Sequence, residues 1–164
     1  MKRRSSIRYS IFAVAVVCLA LAGSMFADSK ALVGTWKLNL DKSKFPAGQM
    51  PKSQTRTVSA DGDNVTYKFE GVRADGTAVS FSFTSKLDGK DSEVTGTGMP
   101  YGADHIAIKQ QNSHMTSATL KKGDEVVGTS TATVSHDGKM LTLSSKGTDA
   151  DGKPTKSVSV YDKQ

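Results

Sequence analysis

Cysteine is almost missing from this sequence: of its 164 residues, only Cys18 carries a thiol. That residue lies inside an N-terminal apolar run, so the chain beyond it has no disulfide and no cysteine nucleophile. Long apolar stretches are missing too. Ile11–Ala22 spans 12 residues, and extending it to Ala27 gives 17, at or below the roughly 20 residues that cross a bilayer as a helix. No segment carries an amphipathic helical face of ten or more residues. Arginine is scarce: after residue 27 only Arg56 and Arg73 occur, far apart. There is no G-x-S-x-G nucleophile elbow, and Gly96-Thr97-Gly98 does not lead into a helix, so no phosphate cradle is expected.

The N-terminus is organised for targeting. Lys2, Arg3, Arg4 and Arg8 precede the apolar run, and Ala20-Leu21-Ala22 follows the small-residue cleavage pattern. The pattern predicts a signal helix within residues 1–27, cleaved after Ala22 or Ala27, and a periplasmic or extracellular protein of residues 28–164. The alternative for the same run is an uncleaved anchor. Val17 before Cys18, and the position of Cys18 inside the run, argue against lipidation. No stable membrane span is expected after cleavage. The chain's net charge of +6 comes mostly from this segment, which carries four basic residues and no acidic one. The remainder, near +2 by the same count, has its basic residues spread out, Arg56 and Arg73 among them. They read as a solvated surface, and no nucleic-acid partner is expected.

Beyond the signal, alternation with turn punctuation dominates. Asp-Gly pairs at Asp61-Gly62, Asp75-Gly76, Asp88-Gly89, Asp137-Gly138 and Asp151-Gly152 separate runs rich in Val, Thr, Phe, Tyr and Ser, a hairpin signal. The runs predict about ten strands: Gly34–Leu40, Gln54–Ala60, Asn64–Val72, Thr77–Leu87, Ser92–Gly96, Ala103–Gln110, Ser113–Lys121, Glu125–Ser135, Met140–Lys146 and Pro154–Tyr161. Period-2 parity turns Trp36, Leu38 and Leu40 to one face, and likewise Val65, Tyr67 and Phe69; Val79, Phe81 and Phe83; Ile106 and Ile108; Leu141 and Leu143. Asp41–Ser53, with two prolines and no period, reads as a surface loop. The expected fold is all-β, a single domain made of an antiparallel meander closed or nearly closed into a barrel of about 8–10 strands.

Two stretches resemble the calycins, the group of lipocalins and fatty-acid-binding proteins. Val33-Gly34-Thr35-Trp36-Lys37-Leu38 is similar to their opening strand, whose Gly-x-Trp implies a barrel-end structural role for Gly34 and Trp36. Asp137-Gly138-Lys139, Leu141-Thr142-Leu143 and Val160-Tyr161-Asp162-Lys163 are similar to the last hairpin of fatty-acid-binding proteins. The opening GTWKLN and KSKF also resemble small exported bacterial lipocalin-like proteins. Three positions depart from the pattern. The last-strand Arg-x-Tyr that holds a fatty-acid carboxylate is here Ser159-Val160-Tyr161. The stretch Asp41–Ser53 is too short for a two-helix lid. No Arg follows Arg73 to pack on the tryptophan, which leaves only a Lys. The resemblance turns Ser159 and Tyr161 inward, whereas plain alternation turns Val158 and Val160 inward.

The candidate ligand-binding residues are Tyr67, Phe69, Phe81 and Phe83, an aromatic face on adjacent strands, with Tyr161 added by the resemblance. His105, His114 and His136 read as surface residues; His105 and His114 could approach across the Asn112 turn, with Asp104 pointing away. No metal, cofactor or catalytic residue is expected. The residues predict a non-enzymatic exported protein binding an apolar or amphipathic small molecule, the wall strands being poor in bulky side chains. The alternative is an interaction or structural factor with a filled core.

Overall fold

A computed structural model describes residues 29–149 and 152–164; the expected signal helix lies outside them. Eleven antiparallel strands form one sheet: β1 (Gly34–Lys44), β2 (Ser53–Asp61), β3 (Asn64–Val72), β4 (Ala78–Ser85), β5 (Asp88–Glu93), β6 (Thr95–Thr97), β7 (His105–Asn112), β8 (Met115–Lys122), β9 (Glu125–Val134), β10 (Met140–Thr148) and β11 (Pro154–Lys163). A 3-10 turn at Ser29–Ala31 precedes β1 and another at Pro100–Gly102 precedes β7. The sheet order is β5-β7-β8-β9-β10-β11-β1-β2-β3-β4-β6.

That order explains why eleven strands replace the expected 8–10. The run read as one strand at Ser92–Gly96 serves two partners. Its first half, β5, pairs with β7, and its second half, β6, pairs with β4; only Val94 separates them. The two sheet edges are thus consecutive in sequence, and the barrel is nearly closed. Joined edges leave few unpaired backbone groups to recruit another chain. The Asp88-Gly89 pair, read as a turn, lies inside β5 instead. The reversal falls just before it, where buried Leu87 takes a left-handed φ of 57° and its amide is held by the Ser85 hydroxyl at 3.1 Å.

The first strand runs on to Lys44, four residues past the expected end, and the following loop is correspondingly shorter. The extension is a bulge: Asn39 pairs with Val160 but Lys44 pairs with Val158, so β1 spends extra residues against β11. Ser43 pins it, its hydroxyl donating to the Asn39 carbonyl at 2.6 Å and accepting from the Val160 amide at 2.9 Å. Leu40, expected inside, is displaced to the surface by this bulge, at 38% exposure. The bulge also settles the last strand. Ser159 and Tyr161 face the interior, while Val160 is buried away from the cavity, its backbone held by Ser43 of the β1 bulge. Alternation alone reversed this assignment because it takes any buried Val for a core Val.

One end of the barrel is solid. Trp36, Tyr67, Leu32, Leu141, Val58, Val65 and Val134 are almost wholly buried there. The Trp36 indole N–H donates to the Leu32 carbonyl at 2.9 Å, so the turn before β1 is fastened to the strand it starts. Lys163 does take the place over the tryptophan, with Nζ 5.1 Å from the ring. Gly34 makes room for it: at φ 139°, an added Cβ would stand 2.7 Å from Lys163 Cε.

Candidate ligand-binding cavity

Above the solid end the interior is open, enclosing a cavity of about 1190 Å³. Its mouth lies among the loops at the other end, including Phe45–Pro51, Arg73–Asp75 and Gly98–Asp104. The stretch read as a surface loop therefore stands at the rim.

Sequence parity creates two unlike walls. On β3, β4 and β7 the inward positions are Phe69, Val79, Phe81, Phe83, Ile106 and Ile108. Phe69 and Phe81 sit directly opposite in register and stack with centroids 4.5 Å apart; Tyr67 and Phe83 do the same at 4.9 Å. On β8 to β11 the inward positions include Thr116, Ser130, Ser145, Thr155, Ser157 and Ser159, interleaved with Ala118, Ala132 and Leu143. These side chains are too small to meet across the barrel, which is why the volume stays unfilled.

Of the five candidate ligand residues, Phe69, Phe81, Phe83 and Tyr161 line the cavity. Tyr67 lies deeper, within the solid end, where it is 0% exposed and its hydroxyl has no hydrogen-bond partner. Burial pushes its phenol above the usual value, against the opposing pull of Arg56. Tyr161 donates to Gln54 Oε1 at 2.5 Å, and burial raises its phenol as well.

The residue that sequence reasoning missed is Arg56. Read as a surface charge, it is 4% exposed and projects from β2 into the barrel. In register it lies between Trp36 on β1 and Phe69 on β3. Its guanidinium carbon is 4.8 Å from the Phe69 ring centroid and 5.2 Å from that of Tyr67. Its Nε and Nη1 are buried without any acceptor. The ionisable groups that act on it are Tyr67 and Tyr161, with no carboxylate among them, and burial holds its pKa below the usual value. The clue in the sequence was parity: if Val58 faces inward, so does Arg56, two residues earlier on the same strand.

The mouth carries a second unpredicted feature. Tyr101 has a left-handed backbone, φ 60° and ψ 13°. Its ring rests on Gly128 and Gly147, which face each other across β9 and β10. A Cβ on Gly128 would stand 2.6 Å from Tyr101 Cδ2, so the two glycines form the seat for that ring.

The histidines are exposed or half-exposed, in keeping with the surface reading, but they pair differently from the suggested approach. His105 and His114 do not approach each other; His105 pairs across to Lys121, and His114 lies 5.3 Å from His136, ring to ring. Asp104 does not point away. It precedes β7, leaving its side chain free to turn, and its Oδ1 meets His105 Nδ1 at 2.8 Å while the carboxylate accepts the Gly123 amide at 2.9 Å. Among the described residues no group of three or more His, Cys, Asp or Glu is arranged to hold a metal. Among them, too, no helix is long and apolar enough to cross a membrane.

No protein-family model matches the chain, and no curated protein matches it. Solved structures do. The zebrafish ileal bile acid-binding protein complexed with cholic acid is similar over 82% of this chain and 99% of its own, at 14% identity and a TM-score of 0.50. A redesigned β-barrel, mFAP1, bound to DFHBI is similar over 84% of this chain and 99% of that one, at 12% identity and a TM-score of 0.47. The fold is therefore calycin-like, a barrel of the type found in fatty-acid- and bile-acid-binding proteins.

Proposed function

We propose that this protein is a non-enzymatic carrier that holds an apolar or amphipathic small molecule inside its barrel. The observation that carries the reading is the interior itself. A cavity of about 1190 Å³ matches or exceeds the ~300–1,000 Å³ typical of small-molecule sites. It is the reverse of the filled core that the interaction-factor alternative requires. Phe69, Phe81 and Phe83 supply an apolar wall and Tyr161 a polar handle; Tyr67 supports that wall from below by stacking on Phe83. The hydroxyls on β8–β11 favour an amphipathic ligand over a wholly apolar one. The similar zebrafish protein is complexed with cholic acid, an amphipathic small molecule, which agrees with this reading.

We also propose that the protein is exported, with residues 1–27 acting as the signal and residues 28–164 working in the periplasm or outside the cell. The mass of protein recovered from its host would then match a chain starting at Gly23 or Asp28.

The binding reading is tested with N-phenyl-1-naphthylamine, an uncharged probe that fluoresces in apolar sites. Saturable binding at one site per barrel is expected, weakened at least tenfold when Phe81 is replaced by a charged residue, as in Phe81→Asp, with the fold intact by circular dichroism. Absence of saturable binding of both this probe and its sulfonated analogue to the wild-type protein would remove the reading.

A further inference from the structure

Buried polar atoms in folded proteins are nearly all hydrogen-bonded, and those that are not call for an explanation. Among the described residues three buried side-chain atoms lack a partner: Arg56 Nε, Arg56 Nη1 and Tyr67 Oη. They come from adjacent strands and belong to one cluster, since the guanidinium lies over the Tyr67 ring. Arginine stays protonated in proteins, so this is a buried cation. No carboxylate acts on it. The two aromatic faces soften its burial, yet a ring face does not accept the in-plane N–H groups in the way an oxygen does. The guanidinium also sits at a meaningful place. It borders the cavity at its inner end, on the strand between the aromatic wall and the Tyr161 side. Gln54, on the same face of β2, has its amide oxygen, an acceptor the guanidinium could have used, tied to Tyr161 instead.

We infer that Arg56 is the core of an anion-binding subsite, at which a carboxylate or sulfonate of the bound molecule supplies the missing acceptors while its apolar body fills the cavity above. A planar guanidinium matches a two-oxygen anion edge to edge, and Arg56 is the member of the cluster that borders the cavity. The inference rests on the proposed carrier role and narrows it from any amphipathic molecule to an anionic one. The charge comes from β2, a strand on which the sequence resemblance places no ligand residue, while the last strand contributes Ser159 and Tyr161.

Two probes of one skeleton test this. 8-Anilinonaphthalene-1-sulfonate carries a sulfonate that N-phenyl-1-naphthylamine lacks. The wild-type barrel is expected to bind the sulfonate at least ~10-fold more tightly than the neutral compound. Arg56→Gln and Arg56→Met are expected to weaken sulfonate binding ~10–100-fold, the range expected for losing charge-assisted hydrogen bonds out of water. Binding of the neutral probe should change less than ~3-fold. Equal binding of both probes by the wild-type protein overturns the subsite and leaves the carrier role standing. Failure of both probes to bind overturns both. Unchanged sulfonate affinity in well-folded Arg56 variants also overturns the subsite. The wild-type ratio requires no variant, so a variant that does not fold cannot shield the inference.

Discussion

Replacing Arg56 with methionine should make the empty barrel more stable, not less. The side chain is 4% exposed and carries a charge with no counterion among the groups that act on it. Taking an unpaired ion out of water costs several kcal/mol even after relaxation. Two cation–π contacts, at 4.8 and 5.2 Å, return about 0.5–2 kcal/mol each. The difference leaves about 1–3 kcal/mol against the folded state. Methionine is close in length, adaptable in shape, and able to lie on the same two rings without a charge. For the roughly 135 described residues at ~2.1 cal/mol/K each, the melting entropy is about 0.28 kcal/mol/K. A gain of about 1–3 kcal/mol therefore raises Tm by about 4–11 °C. Thermal melts followed by circular dichroism and by the single tryptophan, Trp36, read this directly, because Trp36 lies across the ladder from position 56. Arg56→Lys should not give the gain, since a compact ammonium is more strongly hydrated and cannot lie flat on the rings. A fall in Tm of 3 °C or more for Arg56→Met, with native spectra, would mean that the guanidinium is a net stabiliser of the plug, and the reasoning about an unsatisfied charge would fail.

Three further perturbations probe separate features. Tyr161→Phe deletes the donor to Gln54 Oε1 and leaves that acceptor half-buried; a loss of about 1–2 kcal/mol is expected, seen as a lower urea midpoint at unchanged slope. Gly147→Ala puts a methyl 2.6 Å from the Val127 carbonyl oxygen and 2.7 Å from Tyr101 Cε2; it should cost about 1–3 kcal/mol and speed amide exchange at Gly102 and Ala103, whose N–H groups close the turn carrying Tyr101. Asp104→Asn should lower the titration midpoint of the His105 ring, measured by NMR, back toward ~6.5, because the hydrogen bond that the ring donates to Asp104 is the first cause of its rise. The raised imidazole contributes fully below its ordinary value and loses that contribution as pH climbs through the raised one. The Asp104 carboxyl, held below its usual range first by His105, contributes above the ordinary carboxylate value and loses it as pH falls through the depressed one. The pair is thus complete between roughly pH 4 and 6.5, and the part of the difference between wild type and variant that comes from His105 should fade as pH climbs through the raised imidazole value, leaving the contact with the Gly123 amide.

Alternation and turn chemistry made the barrel legible because both are local. Val65, Tyr67 and Phe69 face Ser85, Phe83 and Phe81 in register, as a period of two and a short turn require. The errors sit where a distant strand decides. Leu40 left the core because β11 holds the end of β1 in a bulge, through Ser43 and Val160, residues 117 positions apart. The closing run divides at Val94 because its two halves pair with strands from opposite ends of the sheet. Arg56 was taken for surface on residue type, although its parity with Val58 was readable. What could not be read from that hairpin was that no acceptor from a distant strand would meet Arg56 Nε or Nη1. The cavity was half legible: the small side chains of β8 and β9 announced missing bulk, but whether the wall collapses or stays open depends on closure of the whole ring.

The two walls bear on what the interior accepts. Voids that stay dry are lined by apolar groups, whereas a polar lining takes up water. The hydroxyls of Thr116, Ser130, Ser145, Ser157 and Ser159 line the same space as Phe69, Phe81 and Phe83, so an empty barrel holds water along one side only. A straight alkyl chain filling the cavity would gain from the aromatic wall at ~25 cal/mol per Å². It would also strip water from the hydroxyls opposite, at about 1–3 kcal/mol for each one left without a partner. A few such losses cancel the burial of a whole aliphatic segment. A molecule with one apolar face and one oxygen-bearing face keeps the gain and avoids the cost. The wall chemistry thus selects on how polarity is distributed around the ligand, and Arg56 selects on charge at its inner end; the two requirements act on different parts of the same molecule.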